Sequence, residues 1–208
     1  MFLDLQKLKT ELNLDIKGII HVGAHLLEEL SIYETLEIHN IVWIEANIDL
    51  VNRSLEKYPN QKILNYVVYD RDNVELQFNI ANNGQSSSLL NFGTHSNLYP
   101  GIEFVSKKTI QTKTLKTIIL ENNINILDYN MLNLDIQGVE LRAIIGLEDY
   151  LSNIDYIYTE INDDNVYENN DLLQDIDDYL RNKGFDRKET LIINGNWGDA
   201  IYVRKKNL

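Results

Sequence analysis

The chain has 208 residues, no cysteine and a formal net charge of −13 at pH 7. The lack of cysteine excludes disulfides, thiolate zinc sites and cysteine nucleophiles, and the negative charge disfavours nucleic-acid partners, which require Lys and Arg on one face. No apolar stretch approaches the roughly 18 residues of a membrane span, and residues 1–15 lack the continuous apolar region of a secretory signal. We therefore expect a cytoplasmic protein with no nucleic-acid and no membrane partner.

Short apolar runs and helical patterns alternate along the chain. A short amphipathic helix is predicted at 3–12, within the N-terminal segment 1–15. Strands are predicted at 16–22, 41–45, 62–68, 131–136, 154–161 and 199–203, and helices at 26–36, 48–57, 114–121, 139–147 and 170–182. This alternation is typical of βαβ units around a mainly parallel sheet. Because no linker rich in Pro, Gly or Ser divides the sequence, we expect a single α/β domain over residues 1–208.

Two regions depart from the alternation. Residues 73–80 and 110–112 have an extended pattern, and the stretch 81–108 is polar and aromatic with no clear periodicity. A segment of this length is typical of a lid or binding loop, so we expect 81–108 to lie on the acceptor side of a site. Residues 191–203 are predicted to form two strands joined at Asn194-Gly195, a strong hairpin signal.

A glycine turn follows the first predicted strand. Gly23 lies where doubly wound folds bind ligands, but a dinucleotide fingerprint would also need glycine at the positions of His25 and Glu28. Glu28 and Glu29, placed in the first helical turn, would repel a pyrophosphate and suit a cationic ligand such as S-adenosylmethionine. Alternatively, Gly23 is only the tight turn of a βα unit. His25 is expected in the pocket, whereas His21 is expected to be mainly structural.

Carboxylates are predicted at two further strand ends. Glu45 lies about 20 residues after the glycine turn, the spacing at which an acidic residue accepts hydrogen bonds from a ribose diol. Gly23 and Glu45 together therefore favour an adenosine-type nucleoside. Asp135 lies at the end of the strand predicted at 131–136, where it can hold the ammonium of the cofactor or orient an acceptor hydroxyl. The alternative is that Asp135 caps the following helix.

Four segments stand in order along the chain. They are Ile20-His21-Val22-Gly23-Ala24-His25 with Glu28, Val42-Trp43-Ile44-Glu45-Ala46, Gln85-Ser86-Ser87-Ser88-Leu89, and Leu134-Asp135-Ile136-Gln137-Gly138-Val139-Glu140. Together they resemble the FkbM-type S-adenosylmethionine-dependent methyltransferases, from about residue 17 to the end. His21 stands where this family commonly has Asp, and Leu27 stands where a further glycine is common.

The resemblance implies a class I methyltransferase fold, which is a Rossmann-like, doubly wound and mainly parallel seven-stranded sheet with a C-terminal antiparallel hairpin. It implies S-adenosylmethionine as cofactor and O-methylation, often of a sugar or a glycosylated natural product. The leading hypothesis is therefore methylation of a hydroxyl on a sugar or glycan acceptor. The alternatives are O-methylation of another small hydroxylated metabolite and a nucleoside-binding module without catalysis.

The predicted contacts lie in these segments and at neighbouring strand ends. The predicted cofactor-binding residues are Gly23, Ala24, His25, Glu28, Glu45, Ala46, Asn65, Ser87 and Asp135. The predicted acceptor-binding residues are Ser86, Ser88, His95, Tyr99, Gln137 and Glu160. Because a base helps when an alcohol is methylated, His95 is the first candidate base and Asp135 the second. His95 could instead be an exposed loop residue, and no metal site is predicted.

Overall fold

The structure is a computed structural model that describes residues 2–193 and 196–205. Its strands are β1 (Ile19–Val22), β2 (Ile41–Glu45), β3 (Lys62–Asn65), β4 (Val67–Val68), β5 (Glu75–Ala81), β6 (Phe104–Lys113), β7 (Met131–Leu134), β8 (Tyr156–Asn162), β9 (Phe185–Ile193) and β10 (Trp197–Arg204). Its α-helices are α1 (Leu5–Glu11), α2 (Leu30–Thr35), α3 (Ile48–Lys57), α4 (His95–Leu98), α5 (Leu115–Glu121), α6 (Glu140–Ile145) and α7 (Leu173–Asn182). Short 3-10 helices span Ile126–Asp128 and Glu148–Asn153.

Seven strands form one sheet in the order β3-β2-β1-β7-β8-β10-β9. The first five are parallel, whereas β10 runs antiparallel to both β8 and β9. The predicted fold class, a mainly parallel seven-stranded sheet with a C-terminal antiparallel hairpin, is confirmed. Asn194 and Gly195, where the hairpin turn is predicted, lie outside the described residues. Strand order reverses between β1 and β7, and such a switch point opens a crevice for ligands at the carboxyl ends of the strands.

Both faces of the large sheet are covered by helices, as expected for strands that read as near-continuous apolar runs. On one face α5, α6 and α7 pack on alternate strand residues such as Val22, Leu132 and Ile157. On the other face α1, α2 and α3 pack on the intervening residues, including Trp43 and Met131. This alternation follows from the two-residue period of a strand, and it places His21, Asn133, Glu160 and Asp199 toward the α1 face.

The segment 62–68 forms two strands in place of the single strand predicted. The chain leaves the large sheet after β3 and enters a second sheet of three strands, ordered β4-β6-β5. The predicted loop 81–108 also contains regular structure, because it includes the helix α4 and the first half of β6, which pairs antiparallel with β5. Most of β6 is exposed, so its side chains lack the apolar alternation that would have identified a strand.

The helix predicted at 26–36 begins only at Leu30. Residues between Gly23 and this helix form turns, with positive φ at Gly23, His25 and Leu27. The expectation that Glu28 and Glu29 lie in the first helical turn is therefore wrong: Glu29 is the N-cap and Glu28 precedes it. Within the described residues, no helix is long and apolar enough to cross a membrane.

Candidate active site

A cavity of about 570 Å³ lies at the carboxyl ends of the central strands. One side is lined by residues at the carboxyl ends of β1, β2, β7 and β8 and at the amino end of β10, and the other by residues of the segment 83–102. Because Gly23, Glu45, Asp135 and Glu160 all line it, the cavity occupies the switch point described above. We call the ends of β1 and β2 the donor half, and the ends of β7, β8 and β10 with segment 83–102 the acceptor half.

The turn after β1 requires glycine at position 23. Gly23 has a φ of +85°, and a Cβ placed on it would lie 1.8 Å from the backbone oxygen of Asp135. The backbone N–H of Gly23 donates to the oxygen of Ile44 at 2.9 Å, which fixes the turn against β2. The absence of a side chain therefore lets the chain pass close to the end of β7 and leaves the turn open to a ligand.

The conformation of the same turn shows why glycine is common in the family at the position of Leu27. Leu27 has a φ of +61°, a conformation that glycine adopts without strain and leucine does not. Its side chain is buried among the residues on the α1 face of the sheet. The burial of a leucine there offsets part of the backbone strain.

Glu45 is held at the cavity wall by backbone amides. The N–H of His25 donates to its Oε2 at 2.9 Å, and the N–H of Asn47 donates to its Oε1 at 2.7 Å. Burial raises the pKa of Glu45, although these hydrogen bonds act in the opposite direction. A carboxylate oxygen has two lone pairs, so each Glu45 oxygen can still accept a further hydrogen bond from a ribose hydroxyl.

His25 and Glu28 form an ion pair at the rim of the donor half. The Nδ1 atom of His25 lies 2.5 Å from Oε1 of Glu28, whose Oε2 accepts the N–H of Leu26 at 3.1 Å. Burial alone would lower the pKa of His25, but the hydrogen bond and negative charge of Glu28 raise it overall. The contact with His25 lowers the pKa of Glu28 against the effect of its own burial.

In the acceptor half, Gln137 connects two carboxyl groups. Its Nε2 donates to Oδ1 of Asp135 at 2.6 Å and to Oε2 of Glu160 at 2.5 Å, while its Oε1 accepts the hydroxyl of Tyr167 at 2.5 Å. Gln137 has a φ of +59°, a strained conformation for a residue other than glycine. This conformation of the turn after β7 places the amide between the two carboxyl groups. Asp135 and Glu160 are thereby fixed next to one another at the cavity wall.

Glu160 and Asp199 are directly opposite one another on β8 and β10. Both are buried, at 4% exposure each. Burial and the nearby charges of Asp135, Glu140 and Asp199 raise the pKa of Glu160 well above its ordinary value, and burial also raises the pKa of Asp199. Like charges directly opposite one another destabilise a sheet. The row of Asp135, Glu160 and Asp199 therefore does not stabilise the fold, and we interpret it as part of a ligand-binding site.

His95 is buried in the wall of the acceptor half and is not exposed in a loop. Its ring stacks on Phe92 with centroids 4.1 Å apart, and its Nε2 lies 3.2 Å from Oγ of Ser86. The Nδ1 atom has no hydrogen-bond partner in the described parts of the chain. Burial lowers the pKa of His95, so the ring is neutral near pH 7. Ser86 also accepts the side-chain amide of Asn83 at 3.0 Å.

Aromatic residues form the outer wall of the acceptor half. The indole N–H of Trp197 donates to the hydroxyl of Tyr99 at 3.0 Å, and the ring of Phe2 packs edge-on against Trp197 at 5.2 Å. The backbone amides of Phe2 and Leu3 donate to Asp199, which also accepts the hydroxyl of Tyr158. The N-terminal segment is therefore attached to the acceptor half by hydrogen bonds.

The structure brings most of the predicted site residues to this one cavity. Those that line it are Gly23, His25, Glu28, Glu45, Ala46, Ser86, Ser87, His95, Tyr99, Asp135, Gln137 and Glu160. His21 also lines it, with its Nδ1 3.0 Å from the hydroxyl of Tyr33, a contact that suits a structural role.

Three predicted contacts do not line the cavity. Ala24 is fully buried beneath the glycine turn. The side-chain amide of Asn65 donates to the backbone oxygens of Glu45 and Ala46 at 2.8 and 3.0 Å, so it holds the end of β2 in place without lining the cavity. The hydroxyl of Ser88 donates to the backbone oxygen of Gln137 at 2.7 Å. Asn65 and Ser88 therefore support the residues that line the cavity.

Sequence reasoning missed Tyr167, Trp197 and Asp199, which also line the cavity. Tyr167 follows β8 in an acidic stretch without periodicity, and no local pattern places it against Ser86 and Gln137. Asp199 does carry a usable signal, because it is a carboxylate at the start of a predicted apolar strand. Across residues 2–193 and 196–205, no group of three or more His, Asp or Glu side chains is arranged to hold a metal ion.

Comparisons with known proteins agree with this geometry. The family model described as the methyltransferase FkbM domain matches residues 21–187. Magnesium protoporphyrin IX methyltransferase from Synechocystis PCC 6803 with bound SAH is similar in fold, at 11% identity and a TM-score of 0.50, over 97% of this chain and 80% of that one. A DNMT2 mutant from Spodoptera frugiperda is similar at 12% identity and a TM-score of 0.51, over 90% of this chain and 50% of that one.

No curated protein matches the sequence. At these identities the structural similarity shows the fold alone, whereas the family model covers most of the chain, including the glycine turn, Glu45 and Asp135. The fold agrees with the class I methyltransferase architecture that the four sequence segments imply, and the cofactor prediction, S-adenosylmethionine, is confirmed. The chain belongs to the FkbM-domain methyltransferase family.

Proposed function

We propose that this protein transfers a methyl group from S-adenosylmethionine to a hydroxyl oxygen of a sugar or glycan. The observation that carries the proposal is the contact between Ser86 and a neutral, buried His95 at the wall of the acceptor half. An alcohol must lose its proton as its oxygen is methylated, and a neutral imidazole is suited to receive that proton.

The donor half fits the cofactor. Glu45 offers carboxylate lone pairs to a ribose diol, and the turn at Gly23 leaves the edge of the sheet open beside it. Glu28 at the rim of the donor half, and Asp135 of the acceptor half directly beside Gly23, supply negative charge near the cationic groups of the ligand. When bound, S-adenosylmethionine supplies an electrophilic methyl group on a positively charged sulfur. The residues of the donor half hold that ligand in a fixed orientation, which lowers the entropic part of the barrier.

The route of the proton follows from the accessible atoms. Both ring nitrogens of His95 are shielded, one by Ser86 and the other by burial, so the acceptor hydroxyl meets Ser86 first. The acceptor hydroxyl donates its proton to Oγ of Ser86 while the proton of Ser86 passes to Nε2 of His95. Asp135 is the second candidate base, but its Oδ1 already accepts the amide of Gln137.

The test compares His95→Gln and Ser86→Ala with the unaltered protein in a screen for release of S-adenosylhomocysteine across sugars and oligosaccharides. We expect turnover to fall by about 10²-fold or more in both variants, the lower range for a general base, with cofactor affinity measured by calorimetry unchanged. Full activity of both variants would remove the pair from the mechanism.

The same screen separates the alternatives. A preference for flat phenols over sugars would favour another hydroxylated metabolite as acceptor. Tight cofactor binding without turnover of any hydroxylated compound would favour a nucleoside-binding module without catalysis.

A further inference from the structure

Carboxyl groups dominate the charges that line the cavity, and His25 is paired with one of them, Glu28. Among the described residues, no Lys or Arg side chain lines the cavity. Six carboxyl groups do: Glu28, Glu29, Glu45, Asp135, Glu160 and Asp199. The cofactor carries a sulfonium, an ammonium and one carboxylate, so its net charge of about +1 leaves most of this negative potential uncompensated.

Two carboxyl groups of the acceptor half have no Lys or Arg partner among the described residues. Asp199 accepts the hydroxyl of Tyr158 and the amides of Phe2 and Leu3. Glu160 accepts the neutral amide of Gln137 and contacts the carboxyl of Asp135. Both are buried and directly opposed on β8 and β10, and burial without a cation favours their protonated forms. A cationic ligand between them would favour the charged forms, so this pair is suited to bind an ammonium.

The aromatic wall of the acceptor half also points to a cationic ligand. Trp197, Tyr99 and Phe2 line the cavity. Phe2 is attached to Asp199 through its backbone amide, and Trp197 precedes Asp199 by two residues on β10. Aromatic faces together with carboxylates attract a cationic group.

We propose that the acceptor carries a protonated amine near the hydroxyl that is methylated, with the ammonium bound between Asp199 and Glu160. This inference rests on the proposed function and specifies its substrate class: an amino sugar with a free amine. The same geometry disfavours an acceptor with a phosphate or carboxylate inside the cavity, because no Lys or Arg of the described residues lines it to pair with such a group.

The experiment uses matched sugars. Glucosamine, galactosamine and mannosamine are compared with their N-acetyl derivatives, which lack the positive charge, and with glucose 6-phosphate, which adds negative charge. Release of S-adenosylhomocysteine gives kcat/KM for each. We expect the free amines to exceed their N-acetyl forms by about tenfold or more, which is the effect of roughly one ion pair, and glucose 6-phosphate to be the poorest. Equal or better use of the N-acetyl or phosphorylated sugars would overturn the inference.

A binding measurement keeps the two proposals distinguishable. Calorimetry of the same sugars is performed on protein saturated with S-adenosylhomocysteine. If no sugar is methylated but the free amines bind at least tenfold more tightly, the proposed O-methylation of sugars fails and the amine site stands. If sugars are methylated with no preference for the amine, the proposed function stands and the amine site fails. If the sugars are neither methylated nor bound, both fail.

A variant pair locates the site. In Asp199→Asn the ratio of amine to N-acetyl affinity should fall toward one, because the amide retains the hydrogen bonds from Phe2 and Leu3 but loses the charge. Glu189→Gln removes the same charge from an exposed position on β9 and should retain the ratio. A ratio unchanged by Asp199→Asn, or equally reduced by Glu189→Gln, would contradict the assignment.

Discussion

In the donor half of the cavity, a carboxylate is held by backbone amides that lie near it in the chain, whereas in the acceptor half side chains hold one another across long stretches of sequence. Glu45 is bound by the amides of His25 and Asn47, 20 and two residues away. The side chain of Tyr167 contacts that of Gln137 from 30 residues away, and the side chain of Trp197 contacts that of Tyr99 from 98. Short local contacts can be inferred from spacing in the sequence, and long-range side-chain contacts cannot.

The largest expected effect is a loss in the free energy of unfolding, caused by a substitution in the donor half. In Gly23→Ala the new Cβ would meet the backbone oxygen of Asp135 at 1.8 Å, in a backbone conformation that alanine disfavours. We expect a loss of roughly 3 kcal/mol or more in the free energy of unfolding, measured by urea denaturation. Gly101→Ala is the control, because a Cβ there meets nothing within 4 Å. Equal stability of the two variants would show that the turn has another conformation in solution.

The next effect concerns Glu45. Glu45→Ala removes a buried acceptor at the position predicted for the ribose, so the binding free energy of S-adenosylmethionine should weaken by about 1 to 3 kcal/mol, the range for a hydrogen bond involving a charged group. Calorimetry measures it, with the exposed Glu56→Ala on α3 as the matched control. Unchanged affinity would remove Glu45 from the cofactor site.

Titration should distinguish two carboxyl groups of the cavity by the sign of their pKa shifts, Glu160 in the acceptor half and Glu28 at the rim of the donor half. The pKa of Glu160 is raised, so its contribution to stability is present at low pH and is lost as pH rises through the folded-state pKa. The pKa of Glu28 is lowered, so its contribution is present above the ordinary value of 4.5 and is lost as pH falls through the folded-state pKa. A tenfold difference between the acid dissociation constants of the folded and unfolded states corresponds to about 1.4 kcal/mol.

Denaturation curves measured from about pH 2 to about pH 9 test this difference, because the range extends on both sides of the ordinary pKa of a glutamate. Glu160→Gln should reduce the loss of stability toward high pH, and Glu28→Gln should reduce the loss toward low pH. Identical pH profiles for the two variants would show that the two carboxyls do not differ in environment.

The smallest effect concerns the aromatic wall. Tyr99→Phe removes the hydroxyl that accepts the indole N–H of Trp197 at 3.0 Å. We expect the KM of the acceptor to rise about fivefold, equivalent to roughly 1 kcal/mol for one hydrogen bond, with cofactor affinity unchanged. A change in cofactor affinity of the same size would mean that this wall belongs to both halves.

Much of the fold could be predicted from the sequence, because buried parallel strands carry apolar runs that local patterns reveal. The strands ending at Val22 and Glu45 and the helix α3 fall close to their predicted bounds. By contrast, most of β6 and β9 is exposed and polar, and neither was predicted over its full length. Their pairing depends on neighbouring strands, so composition alone does not identify them.

The candidate site divides in the same way. Gly23, Glu45 and Asp135 can be placed at the cavity from the sequence because each lies at or directly after the end of an apolar strand, and Glu45 follows Gly23 at a recognisable spacing. Asn65 was predicted to bind the cofactor, but its amide is directed to the backbone at the end of β2. Tyr167 was missed because its place beside Gln137 is set by the return of the chain after β8 and not by any local pattern.

The attachment of the N-terminal segment has a practical consequence. The amides of Phe2 and Leu3 are bound to Asp199, and the ring of Phe2 lines the acceptor half beside Trp197. Removal of Phe2 and Leu3 would take from the cavity both of the amides bound to Asp199 and one ring of its aromatic wall. Acceptor screens should therefore be run on protein that retains these two residues.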